Sequence, residues 1–303
     1  MNVTGASFLD LGTFARIAGI LFPIVAIVIA GFFYGRKHNP EMSVANRLNM
    51  DVFVPALILG AMMSKSFDPV RYAGLAAGAA LIVLCSGLMA RPLAKVLGIE
   101  WRTFVPPMMF NNSANIGIPL AVLAWGDDAL AAAVILYSVS NVLHFSVGLH
   151  MLDRDAQLKT LWRNPTLLAV FAGLGISLMS IPVWPPLVAA LQLMGNVAVP
   201  LLLFALGVRM REIRFDALTA PLVGAFLKPA VGMLLAWGFS RLLGLNERDT
   251  AMLIVFGALP PAVMNFLFAE RYARDPQRVA AIVLIGNLAS LILLPLALGI
   301  VLQ

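Results

Sequence analysis

Ten apolar stretches follow one another with only short punctuation between them, at about 13–35, 45–64, 70–90, 103–124, 129–150, 166–182, 185–207, 217–243, 250–268 and 277–302. A helix needs about 20 apolar residues to cross the hydrocarbon core, and most of these stretches meet that length. In lipid every backbone N–H and C=O must be satisfied inside the protein, which leaves helices as the available structure for such segments. With 303 residues, 61% apolar and 12% charged, the chain has room for ten spans and lacks the polar surface of a soluble fold. The expectation is an all-α integral membrane protein of ten transmembrane helices. No basic region precedes the first stretch, which is long enough to span, so it reads as a membrane helix of a chain starting at Met1 and not as a cleaved leader. Cys85, the lone cysteine, lies in an apolar run and reads as a small buried hydrophobe.

The net charge of +6 is spread over loops and does not form a basic run, so it argues for topology and against nucleic acid as a partner. The loops after spans 1, 3, 5, 7 and 9 carry Arg36, Lys37, Arg47; Arg91, Lys95, Arg102; Arg154, Lys159, Arg163; Arg209, Arg211, Arg214; and Arg271, Arg274, Arg278. The opposite side carries Arg16, Lys65, Arg71, Arg241 and Arg248, and Lys228 falls inside span 8. The bias predicts cytoplasmic odd-numbered loops, both termini outside and, for a multi-pass protein of this kind, the cell inner (plasma) membrane.

The second half of the chain repeats the first. Pro23, Ala30 and Gly31 recur as Pro165, Ala172 and Gly173 at an offset of 142, and Val52, Val54, Pro55 and Leu57 as Val197, Val199, Pro200 and Leu202 at 145. Leu97, Gly98, Arg102, Phe110 and Asn141 recur as Leu243, Gly244, Arg248, Phe256 and Asn287 at 146. The units are residues 1–150, a short cytoplasmic linker at 151–165, and residues 166–303. Five spans per copy is an odd number, so the second copy enters the membrane from the other side. Such an inverted 5+5 repeat is the construction of alternating-access carriers, whose site lies at midplane where the copies meet.

Two mid-span interruptions occupy corresponding places. Span 4 holds Asn111, Asn112, Ser113, Asn115, Gly117 and Pro119 where the hydrocarbon centre falls, and span 9 holds Pro260, Pro261 and Asn265. Asn and Ser compete for backbone hydrogen bonds, Pro removes a donor and Gly permits unusual dihedrals, so both helices should break there. A break frees N–H groups at the start of a half-helix, which with Asn amides favour an anion such as a carboxylate; cations at the exposed carbonyl ends remain open.

Other polar residues fall inside spans. Lys228 is costly there unless paired or hydrated, and reads equally as substrate counter-charge or as a tether to a carbonyl or to Asp51. Asp51, whose repeat mate is Asn196, reads as interfacial. Asn141 and Asn287 contact the broken backbone or, more commonly for such amides, tie helices together. Tyr137, Ser138 and Ser140 are candidates to line a cavity. His144 and His150 are candidate proton carriers, against the commoner hydrogen-bonded helix histidine. Trp101, Trp125, Trp162 and Trp184 suit an interfacial belt.

Several motifs together resemble the auxin efflux carrier family, on its bacterial permease branch. They are Asn112-Ser113 with Ile116-Gly117-Ile118-Pro119-Leu120; Trp125-Gly126-Asp127; Arg163-Asn164-Pro165; Phe204-Ala205-Leu206-Gly207; Pro229-Ala230-Val231; Ala258-Leu259-Pro260; and Phe266-Leu267-Phe268-Ala269-Glu270-Arg271-Tyr272. The resemblance runs from span 1 to span 10. It implies a scaffold of spans 1, 2, 6 and 7, a transport domain in which spans 4 and 9 cross, a substrate carboxylate near Asn112 and Pro260-Pro261, and a homodimer. The aspartate and lysine that pair within the membrane in plant carriers are replaced here by Gly78 and Glu270. The resulting expectation is a secondary active transporter of small organic anions, working by elevator-like alternating access, with no cofactor, no metal and an unassigned coupling ion, proton or sodium. An anion channel or a membrane sensor on the same scaffold is the alternative. With three histidines, one cysteine and no metal-ligand spacing, an intramembrane enzyme is not expected.

Overall fold

A computed structural model of the chain describes residues 11–64, 67–153, 163–210 and 219–302. Lys65, Arg154, Lys159, Trp162, Arg211, Arg214 and most of the 151–165 linker lie outside them. Among the described residues every regular element is a helix. In chain order these are α1 (Leu11–His38), α2 (Ser43–Met62), α3 (Ala73–Val96), α4a (Trp101–Met109), α4b (Ser113–Trp125), α5 (Asp127–Leu152), α6 (Pro165–Leu178), α7 (Pro185–Arg209), α8 (Thr219–Leu242), α9a (Glu247–Ala258), α9b (Met264–Arg271) and α10 (Pro276–Val301). Seven of them (α1, α2, α3, α5, α7, α8, α10) are long and apolar enough to cross a membrane. The other three apolar stretches hold shorter helices: α6 ends at Leu178, and stretches four and nine are each divided in two.

Local chemistry sets the helix ends. Asn164 caps α6 by accepting from the N–H groups of Thr166 and Leu167, with Pro165 at the first helical position where no donor is missed. Asn246 and Asp249 bond reciprocally across the start of α9a. Helices α3 and α8 end alike. Gly98 and Gly244, at φ +65° and +62°, take the left-handed turn that lets Ile99 N–H reach the Ala94 carbonyl (2.9 Å) and Leu245 N–H the Ser240 carbonyl (3.0 Å). These glycines stand 146 residues apart, the offset of the repeat expected from the sequence.

The helices pack in two sets. α1 lies on α7, α7 on α2 and α2 on α6; α8 lies on α9a, α10 and α3, and α3 also carries α4a and α5. Small residues bring backbones together within each set. A Cβ on Gly31 would stand 2.2 Å from the Phe204 carbonyl oxygen, and one on Gly207 2.0 Å from that of Val28, so α1 and α7 touch main chain to main chain. Large side chains such as Phe14, Phe22, Leu88 and Leu193 are exposed on the outer faces of these helices, an arrangement suited to lipid and not to water. The loops expected on one side do meet: Arg102 Nε donates to the Met151 carbonyl (3.0 Å), and Arg274 donates to the Leu152 carbonyl (2.9 Å) and lies 3.6 Å from Glu100.

Candidate functional site

Span 4 unwinds at Phe110, Asn111 and Asn112, and span 9 at Leu259 through Val263; the two unwound segments pair as a short antiparallel bridge at Asn111 and Pro261. Asn112 N–H donates to the Pro260 carbonyl and Ala262 N–H to the Phe110 carbonyl, both at 2.8 Å. Two broken stretches thereby satisfy at membrane depth what each would leave open alone. Side chains supply the rest. Asn111 Nδ2 donates to the Phe256 carbonyl (2.7 Å), Asn265 Nδ2 to the carbonyls of Phe110 (3.3 Å) and Ala262 (2.9 Å), and Asn287 Nδ2 to those of Pro261 (3.0 Å) and Val283 (2.7 Å). Asn112 Nδ2 donates to Asn287 Oδ1 (2.7 Å), and the Lys228 ammonium donates to Asn111 Oδ1 and to the Leu259 carbonyl (2.7 Å).

Expectations for individual residues change accordingly. Gly117 and Pro119 lie past the unwound residues. Gly117 is helical at φ −63°, and its missing side chain makes room for Leu259, whose Cδ1 would stand 2.8 Å from a Cβ there. Pro119 lies two residues past Gly117 inside α4b, directly after the wide turn at Ser113–Gly117. Lys228 is a carbonyl tether, buried at 4% exposure, while Asp51 is exposed as an interfacial residue would be. Asn287 grips the unwound backbone, whereas Nδ2 of Asn141, expected to match it, is buried with no hydrogen-bond partner. His144 stacks flat on Phe110, with ring centroids 4.0 Å apart, and His150 is exposed. Gly78 packs against Leu253 of α9a, and Glu270 is exposed, so neither forms an intramembrane pair.

Beside this junction lies a cavity of about 120 Å³. Asn111, Asn112, Ser113, Asn115, Tyr137 and Asn141 line it, together with Ser140 and His144. Pro260, Pro261, Asn265, Asn287 and Lys228 stand behind its wall as supports. The first turn of α4b (Ser113, Ala114, Asn115) and that of α9b (Val263, Met264) both border it; the leading N–H groups of a helix lack intrahelical acceptors, although in α9b those of Asn265 and Phe266 already donate to the Ala262 and Val263 carbonyls (3.1 and 3.0 Å). The positive ends of both half-helices thus border one small space, and Asn141, whose Nδ2 is buried without a hydrogen-bond partner, borders it too.

Sequence reasoning missed Asn46, Met50 and Arg209, which complete the lining from α2 and α7. Arg209 reads in the sequence as one more loop cation, although its place in the last turn of a spanning helix was visible. Wide, π-type turns occur in α2 (Asn49–Phe53), α4b (Ser113–Gly117) and α5 (His144–Gly148), and each contributes to the cavity, through Met50, Ser113 and His144. Such turns shift side-chain register within a helix and concentrate at functional sites. Among the described residues no group of His, Cys, Asp and Glu is arranged to hold a metal ion.

Residues 155–298 match the family model described as membrane transport protein. A putative malonate transporter of Rhizobium meliloti (strain 1021) is 24% identical over 306 residues, covering 91% of this chain and 93% of that protein. An uncharacterized transporter of Methanocaldococcus jannaschii is 20% identical over 300 residues, covering 91% of this chain and 96% of that protein.

Proposed function

Taking as premise that the chain belongs to this membrane transport protein family, to whose carrier-type motifs its sequence bears a resemblance, we propose that it is a secondary active transporter of small organic anions, with a carboxylate held in the cavity beside the junction of spans 4 and 9. The observation that carries this reading is the convergence on one cavity of two helix N-termini and the unpartnered Asn141 amide, with Arg209 also in the lining. A carboxylate has two oxygens to accept from amide and backbone N–H groups, and it complements the positive ends of both half-helices. The name of the Rhizobium relative agrees with such a cargo and makes malonate the first probe.

Ten spans in an inverted 5+5 arrangement suit this reading, with α1, α2, α6 and α7 as scaffold and the remaining helices as the moving part; the two packing sets support that division. Asn46 and Arg209 flank loops that the charge bias assigns to the cytoplasm, so the cavity corresponds to an inward-facing state, with the termini outside the inner membrane. Alternating access then carries the cavity and its anion past the scaffold residues Leu202, Ala205 and Leu206.

The test is malonate binding to purified protein. Wild type is expected to be stabilised by malonate over chloride at equal ionic strength. Asn141→Leu keeps the volume and removes the donor, which lowers affinity about 10- to 100-fold, since a hydrogen bond to a charged group is worth about 1.5–3 kcal/mol, while the melting midpoint without ligand stays put. An Asn141→Leu protein that binds malonate as wild type does would remove this cavity from the account.

A further inference from the structure

The two half-helices that end at the junction finish differently. At the C-terminus of α4a, the Phe110 carbonyl accepts only from neutral donors, Ala262 N–H and Asn265 Nδ2. At the C-terminus of α9a, the Leu259 carbonyl accepts from an ammonium, that of Lys228. The second acceptor of that ammonium, Asn111 Oδ1, is also neutral. A cation surrounded by a helix C-terminus and an amide oxygen, buried at 4% exposure, has the surroundings of a bound monovalent ion: the negative end of a helix dipole, oxygen ligands and little water.

We propose that Lys228 fills a monovalent-cation site at the C-terminus of α9a, so that the protein carries as a covalent side chain the positive charge that other broken-helix sites take from solution. The carbonyl end of α9a and the Asn111 oxygen form the site, and the lysine stem delivers the charge from α8. While the ammonium occupies the site, the junction needs no dissolved cation to hold together. The inference is separate from the identity of the transported anion, because Lys228 does not line the anion cavity.

Thermal unfolding of purified protein in sodium, potassium, ammonium or choline chloride at equal ionic strength tests it. Wild type is expected to melt at the same temperature in all four salts. Lys228→Ala leaves the oxygens and opens room; its midpoint should be lower in choline and rise saturably with ammonium, potassium or sodium. Lys228→Met removes the charge but fills the room, and should melt low in every salt. Should Lys228→Ala yield no folded protein in choline, recovery of folded protein in ammonium chloride is the same positive result. A wild type stabilised by one small cation as strongly as Lys228→Ala overturns the proposal. So does a response shared equally by Lys228→Ala and Lys228→Met, or a Lys228→Ala protein that no cation stabilises or recovers.

Discussion

Asn111→Leu should be among the most damaging single substitutions in the chain, despite its near-equal volume. The side chain donates to the Phe256 carbonyl and accepts from Lys228, so leucine leaves a buried carbonyl short of a donor and a buried ammonium with one acceptor instead of two. Losing a hydrogen bond to a charged group costs about 1.5–3 kcal/mol, and the buried carbonyl that loses its amide donor adds to that. That is a large share of the ~5–15 kcal/mol by which proteins are stable. A marked fall in melting midpoint and in the yield of monodisperse protein is expected, whether or not ligand is present. Asn115→Ala, at a half-buried position on the cavity wall, should leave the midpoint unchanged and weaken malonate binding instead. Equal midpoints for Asn111→Leu and wild type would mean that the junction does not depend on these bonds.

Substitution of Gly257 is expected to be equally severe for a steric reason. A Cβ there would lie 2.3 Å from the Gly232 carbonyl oxygen, and a Cβ on Gly232 would lie 2.1 Å from that of Gly257. Both obstacles are backbone, so Gly257→Ala must push α8 away from α9a; overpacking typically costs about 1–3 kcal/mol, and main-chain displacement adds to it. The displacement also draws Lys228, one turn before Gly232, away from the Leu259 carbonyl two residues after Gly257. Gly238→Ala, on the same helix α8 with nothing within 4 Å of its Cβ, should be neutral or slightly stabilising. Size-exclusion profiles and melting curves of the two variants give the comparison, and indistinguishable behaviour would show that the close approach of α8 and α9a is not needed.

Much of the architecture could be read from residue order because the membrane leaves few options. Long apolar stretches became helices, and the cluster of Asn111, Asn112 and Ser113 and the Pro260-Pro261 pair marked the two unwound segments. What residue order could not supply was partnership. Asn141 and Asn287 are the same residue type 146 residues apart, yet Nδ2 of one holds Pro261 while Nδ2 of the other has no hydrogen-bond partner, a difference made by neighbours distant in sequence. Lys228 was legible as costly, but its choice of the Leu259 carbonyl over Asp51 depends on where α9a ends. Gly117 and Pro119 looked like part of the break and are helical, because the bridge with span 9 satisfies the backbone upstream of them. The wide turn at His144–Gly148 left no compositional mark, since register shifts of this kind follow from packing.

The claim that this cavity carries a small carboxylate across the membrane is tested most directly by counterflow in proteoliposomes. Labelled dicarboxylate uptake by wild type is expected to saturate, to accelerate when unlabelled dicarboxylate is loaded inside, and to be strongly reduced in vesicles holding Asn141→Leu. A flux that rises linearly with concentration and ignores the internal load, or saturable exchange unaltered by Asn141→Leu, would contradict it.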